Sequence, residues 1–143
     1  MGSIRCCVLL FLVLPLLAPA PAFPDVPLAC RAHVGGPYAV TYSGAEDDGE
    51  PFSFTGALVL DRAGTFELRG HYTYPGGYRF WVDYQGGPWA FTDNLALDAG
   101  SGCELLIGPF SDLPTLTGIV SPNGHLIVLQ TGAAAGTAVR QAR

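Results

Sequence analysis

From residue 36 onward the chain alternates apolar and polar side chains in short runs, each closed off by Gly, Pro, Asp or Asn. Period two marks a strand with one buried face, because successive side chains on a pleated backbone point to opposite sides. The runs predict strands at 38–43, 52–60, 65–74, 78–84, 89–97, 103–108, 115–121 and 125–131, with a shorter ninth at 136–140 that closes the sheet. They recur about every ten to twelve residues, the spacing of a β-sandwich or barrel. No run beyond the amino-terminal segment supports a helix.

Turn residues set the register of the central hairpins. Asp61-Arg62-Ala63-Gly64-Thr65 suits a three-residue loop with Gly64 left-handed in a bulge, since glycine alone enters that conformation without a Cβ clash. Asp61 then faces Thr65, and Leu60, Leu58, Gly56 and Phe54 pair with Phe66, Leu68, Gly70 and Tyr72 on one inward face. A one-residue slip would turn every one of these outward. A three-residue loop at Pro75-Gly76-Gly77 keeps the next hairpin in phase. It places Tyr72 against Phe80 and Gly70 against Val82 inside, with Arg69 against Asp83 and His71 against Trp81 outside. Ser121-Pro122-Asn123-Gly124-His125 forms a further hairpin turn, with Pro and Gly where a type I turn with a bulge wants them. Consecutive hairpins make an antiparallel meander, and closing it into a barrel removes exposed edges.

The amino-terminal segment is of another kind. Arg5 precedes an apolar run at 8–17, interrupted by Pro15, and then Ala18-Pro19-Ala20-Pro21-Ala22. This is the order of a secretory signal, residues 1–22, with small residues Ala20 and Ala22 ahead of cleavage before Phe23. The apolar run is well short of the roughly 20 residues a bilayer needs, so no membrane span is expected. What remains, 23–143, is one β-barrel domain, secreted or periplasmic. A competing reading makes Cys30 a lipid-attachment cysteine, because Leu28-Ala29-Cys30 resembles the end of a bacterial lipid box. Against it, Pro27 stands where Leu is expected, and Pro24 and Asp25 separate the box from the apolar run. Cleavage at Phe23 removes Cys6 and Cys7 and leaves Cys30 and Cys103, two cysteines in an exported chain and hence one expected disulfide.

A formal net charge of −5 with no lysine gives no electrostatic footprint for nucleic acid. His33, His71 and His125 share no short ligand spacing with Cys, Asp or Glu, so neither a metal nor another cofactor is expected. No Gly-x-Ser-x-Gly elbow presents a nucleophile, and the register gives Asp83 to Arg69 rather than to His71. Glu46-Asp47-Asp48-Gly49-Glu50 lacks the alternating ligands of a calcium loop and reads as a solvated charged loop. No catalytic residue is assigned.

The chief candidate chemistry is the inward aromatic set Tyr38, Tyr42, Phe54, Phe66, Tyr72, Tyr74, Tyr78, Phe80 and Tyr84. An interior of about eight strands is either filled by its own side chains or holds one small ligand. In the first case the set is a packed core. In the second, Tyr38, Tyr42, Phe54, Tyr72, Tyr74, Tyr78 and Phe80 line a ligand site, with hydroxyls orienting an apolar or aromatic molecule.

Two stretches, Gly36-Pro37-Tyr38-Ala39-Val40-Thr41-Tyr42-Ser43-Gly44 and 55–64 ending in Asp61-Arg62-Ala63-Gly64, resemble an exported bacterial family of calycin-like barrels. In that family a Gly-x-Tyr strand leads to a strand ending in an Asp-x-x-Gly turn. Gly102-Cys103-Glu104-Leu105-Leu106-Ile107 is similar to its cysteine-headed strand, and 119–141 to its closing strands. The resemblance implies an all-β, antiparallel, calycin-like barrel of about eight strands with no assigned activity. In outline the family is similar to allene oxide cyclase and dirigent-type barrels, which handle apolar small molecules. Fold analogy of that kind transfers no chemistry by itself. The function expected is noncatalytic binding of a small apolar or aromatic ligand. The alternatives are a cofactor-free cyclase or isomerase of the allene oxide cyclase type, or an interaction protein using outward Trp81. Uncharged inward faces on the second to fourth strands favour a binder over an enzyme.

Overall fold

A computed structural model describes residues 33–92 and 103–142. The predicted signal peptide, Cys30 with its lipid-box surroundings, and the end of the strand expected at 89–97 lie outside these residues. Eight antiparallel strands run in chain order and close into a barrel. They are β1 (Gly36–Ala45), β2 (Pro51–Leu60), β3 (Thr65–Thr73), β4 (Arg79–Phe91), β5 (Cys103–Ile107), β6 (Leu116–Val120), β7 (Leu126–Thr131) and β8 (Ala134–Arg140). β8 pairs with β1 from Ser43↔Ala135 to Tyr38↔Arg140, which completes the ring. No helix among the described residues is long and apolar enough to cross a membrane.

Period two becomes a barrel because the buried members of each strand share one interior. Tyr38, Val40 and Tyr42 of β1, Phe54, Leu58 and Leu60 of β2, and Phe66 and Leu68 of β3 all point inward. Leu105, Ile107, Val120, Ile127, Leu129 and Ala138 complete the core from the later strands. At about 25 cal/mol per Å² of apolar surface, this burial is the main stabilising force on the fold.

The hairpin registers follow the turn chemistry. Ser53↔Thr73 through Leu60↔Phe66 pair as the Gly64 bulge requires, and Gly64 has φ +89°. Asp61 N–H donates to Thr65 O at 2.8 Å across that turn. In the next hairpin Arg69↔Asp83, Gly70↔Val82, His71↔Trp81 and Tyr72↔Phe80 pair, around a 3₁₀ turn at Pro75–Gly77.

On the outer face Arg69 Nε donates to Asp83 Oδ1 at 2.9 Å, with Glu67 Oε2 at 3.2 Å from its Nη2. His71 meets Trp81 edge-on at 4.7 Å between centroids. Solvent screens these ions, so Arg69→Ala is expected to lower the unfolding free energy in urea by under about 1 kcal/mol. A much larger loss would mean that the pair braces the sheet.

One expectation is corrected. The strands read at 78–84 and 89–97 are in the described residues a single strand, β4, and with the closing strand at 136–140 formed as β8 the count is the expected eight. Gln85-Gly86-Gly87-Pro88 has the composition of a turn but serves as a bulge. The register jumps from Glu67↔Gln85 to Phe66↔Gly87, leaving Gly86 as an extra residue at φ +79°. A bulge bends a strand without ending it, and Phe66 lies so close over Gly87 that no side chain fits there.

Candidate functional site

The inward aromatic residues separate by height along the barrel axis. Tyr42, Phe54, Tyr72 and Phe80 are cross-strand neighbours on β1 to β4 and form one row across four strands. The row beneath is Val40, Gly56, Gly70 and Val82. Its two glycines make room for a ring, because a Cβ on Gly56 or Gly70 would come within 2.8 or 2.7 Å of Phe54 Cζ. Phe54 can therefore lie along the sheet, stacked on Tyr42 at 4.8 Å and tilted against Tyr72 at 5.0 Å.

Above this row the aromatic contacts continue to the surface. Phe52 meets Tyr72 at 5.5 Å and Tyr74 at 6.4 Å, and Tyr74 meets Tyr78 at 6.1 Å. Burial falls along the series, from Phe54 and Tyr42 in the core, through half-buried Phe52, Tyr72 and Tyr74, to Tyr78 at 65% exposure. These residues occupy the barrel end that carries the β1–β2, β3–β4 and β5–β6 loops. β4 pairs with β5 only from Trp89 to Phe91 among the described residues, at the far end of β4 beside the β2–β3 turn, and the β5–β6 loop brings Phe110 onto Phe66 at 6.1 Å.

The hydroxyl groups are partnered. Tyr42 and Tyr72 share a short hydroxyl–hydroxyl hydrogen bond. Tyr74 donates to Glu46 Oε1 at 2.9 Å, and the Asp112 carboxylate lies near the Tyr84 hydroxyl. Burial pushes the Tyr42 phenol far up, and the Tyr72 contact adds to it. Burial likewise raises Tyr72. Tyr74 is pushed up to about 12 by burial and by its hydrogen bond to Glu46, and Tyr84 is raised by burial and by Asp112. All four stay neutral phenols at physiological pH, and so serve as hydrogen-bonding groups rather than as bases or nucleophiles.

The expected ligand set is thus only partly brought together. Tyr42, Phe54, Tyr72, Tyr74 and Tyr78 form the connected cluster. Tyr38 sits at the other end, fully buried, donating to Gly124 O at 3.0 Å. Tyr78 and Phe80 are not inside as expected: they are 65% and 48% exposed. Phe80 keeps the inward parity of Val82 and Tyr84 but lies on the stretch of β4 that pairs with β3 alone among the described residues, so one side is left open. Phe52, two residues before Phe54, was signalled by that parity and belongs to the cluster. Glu46 as a hydroxyl acceptor and Asp112 as a carboxylate near Tyr84 were not legible, because both come from loops distant in sequence. Trp81 is 54% exposed on the outer wall, and Cys103 is buried at the head of β5. Compared with known proteins, the chain matches no family model, no curated protein and no solved structure.

Proposed function

We propose that the aromatic end of the barrel binds a small apolar or aromatic ligand without transforming it. The observation that carries this reading is the unbroken series of rings from the buried Phe54–Tyr42 stack through Tyr72, Phe52 and Tyr74 to exposed Tyr78. A rim of this kind offers ring faces and edges at low entropic cost, with hydroxyls that fix orientation. Binding is favoured over catalysis because no charged residue is buried among the described residues and the tyrosines have raised rather than lowered pKa values.

Charge sharpens the choice of ligand. Glu46, Asp47, Asp48, Glu50 and Asp112 lie on the loops of this end, where β4 begins at Arg79. Carboxylates beside ring faces favour neutral or cationic aromatic molecules over anionic ones. In isothermal titration, phenethylamine is expected to bind and phenylacetate, of similar shape and opposite charge, is not. Tyr78→Ala and Tyr74→Ala should each weaken the amine about tenfold, equivalent to ~1.4 kcal/mol. Absence of binding by both probes, or indifference to both substitutions, defeats the reading.

We also infer that the barrel works outside the cytoplasm, after removal of residues 1–22, with Cys30 joined to Cys103. The signal-like amino terminus supports export, and the structural support for the disulfide is given in the Discussion.

A further inference from the structure

The barrel end opposite the aromatic rim carries a groove of about 520 Å³ lined by Gly35, Gly36, Arg62, His125, Arg140 and Gln141, among others. Its lining among the described residues includes no carboxylate, although the chain as a whole is acidic at −5. Two of the arginines converge here. Arg62 Nε is 3.9 Å from where a Cβ on Gly35 would stand, and Arg140 Nη2 is 3.9 Å from where one on Gly36 would stand. Both glycines have positive φ, at +128° and +96°, so the floor between the guanidinium groups is bare backbone that a side chain would fill only with strain.

Arg140 is held in place. It donates to the Gly35 carbonyl and lies over the Tyr38 ring at 5.6 Å, and Tyr38 is itself fixed by its bond to Gly124 O. A guanidinium has five N–H donors, so most of its capacity is left after that single bond. Neither Arg62 nor Arg140 forms an ion pair among the described residues, whereas Arg69 is shared by Glu67 and Asp83. Two like charges at one groove repel each other, and an oxyanion between them removes the repulsion and accepts forked hydrogen bonds.

We infer that this groove is a binding site for a small oxyanion, a phosphate or carboxylate group on a compact molecule. The volume falls within the range of small-molecule sites. This site is separate from the aromatic rim and does not depend on that reading.

Inorganic phosphate titrated at constant ionic strength, with chloride as the balancing anion, tests the site by calorimetry. Saturable one-site binding is expected, weakened at least tenfold in Arg62→Gln and Arg140→Gln and unchanged in Arg69→Gln. Arg140 also braces Gly35, so exposed Arg62 supplies the decisive variant, with its thermal melt recorded alongside. Lack of saturable binding overturns the proposal, as does full binding by folded Arg62→Gln. Equal weakening in Arg69→Gln also overturns it, by showing a diffuse charge effect.

Discussion

Replacing Phe66 by alanine is expected to lower the unfolding free energy by about 3 to 5 kcal/mol, while Phe80→Ala costs under about 1.5 kcal/mol. The two phenylalanines share inward parity on neighbouring strands and differ in enclosure. Phe66 is 1% exposed, lies over Gly87 and meets Phe110 edge-on. Its removal loses the transfer energy of a whole ring and leaves a cavity that the strands β2 and β4 on either side are too constrained to close. Phe80 is half exposed on the part of β4 that no described β5 residue flanks, and its loss opens no cavity. For a domain of this size the first change lowers Tm by on the order of 10 to 20 °C. Urea unfolding of both variants checks the pair, and equal costs would show that enclosure does not separate the two sites.

The expected result for the cysteines is a disulfide whose loss costs up to about 4 kcal/mol, since it closes a loop of about 73 residues. Cys103 heads β5 opposite Val120. The turn that follows Val120 places Gly124 against the His33 carbonyl. His33 and Cys103 therefore meet the same end of the barrel, and the three residues from Cys30 to His33 reach about 10 Å. Cys103→Ser should lower stability by about the same amount as reduction of the wild type, an upper figure because strain and residual structure in the unfolded chain reduce it. Alkylation of the exported, unreduced protein followed by mass measurement gives the covalent answer. No label before reduction and two after it is the expected outcome. Two labels before reduction sink the disulfide, and a diacylglycerol mass on an amino-terminal Cys30 replaces it with a lipid anchor.

Local chemistry determined much of the fold on its own. The pairings Leu60↔Phe66 and Arg69↔Asp83 followed from two facts, that Gly64 and the Pro75-Gly76-Gly77 loop fix loop length and that period two ties every pair to that choice. One strand break was misread, at Gln85-Gly86-Gly87-Pro88, because a bulge and a turn draw on the same residues. Which one forms depends on whether the following residues find a partner. Trp89 to Phe91 do, on β5, a strand more than ten residues further along the chain.

Function-bearing positions divided along the same line. Alternation tells which side of the sheet a residue occupies, and so named Tyr42, Phe54 and Tyr72 correctly as inward. It carries no information about enclosure, so Tyr38, Tyr78 and Phe80 entered the same set although Tyr38 is buried at the far end while Tyr78 and Phe80 stand exposed where β4 has no described β5 partner. The carboxylates of Glu46 and Asp112 beside the tyrosines, and the groove of Arg62, His125 and Arg140, exist only because the fold brings distant loops to a common end. Side is a property of the strand; enclosure and convergence are properties of the closed barrel, set by β8 pairing with β1 and by where β4 meets β5.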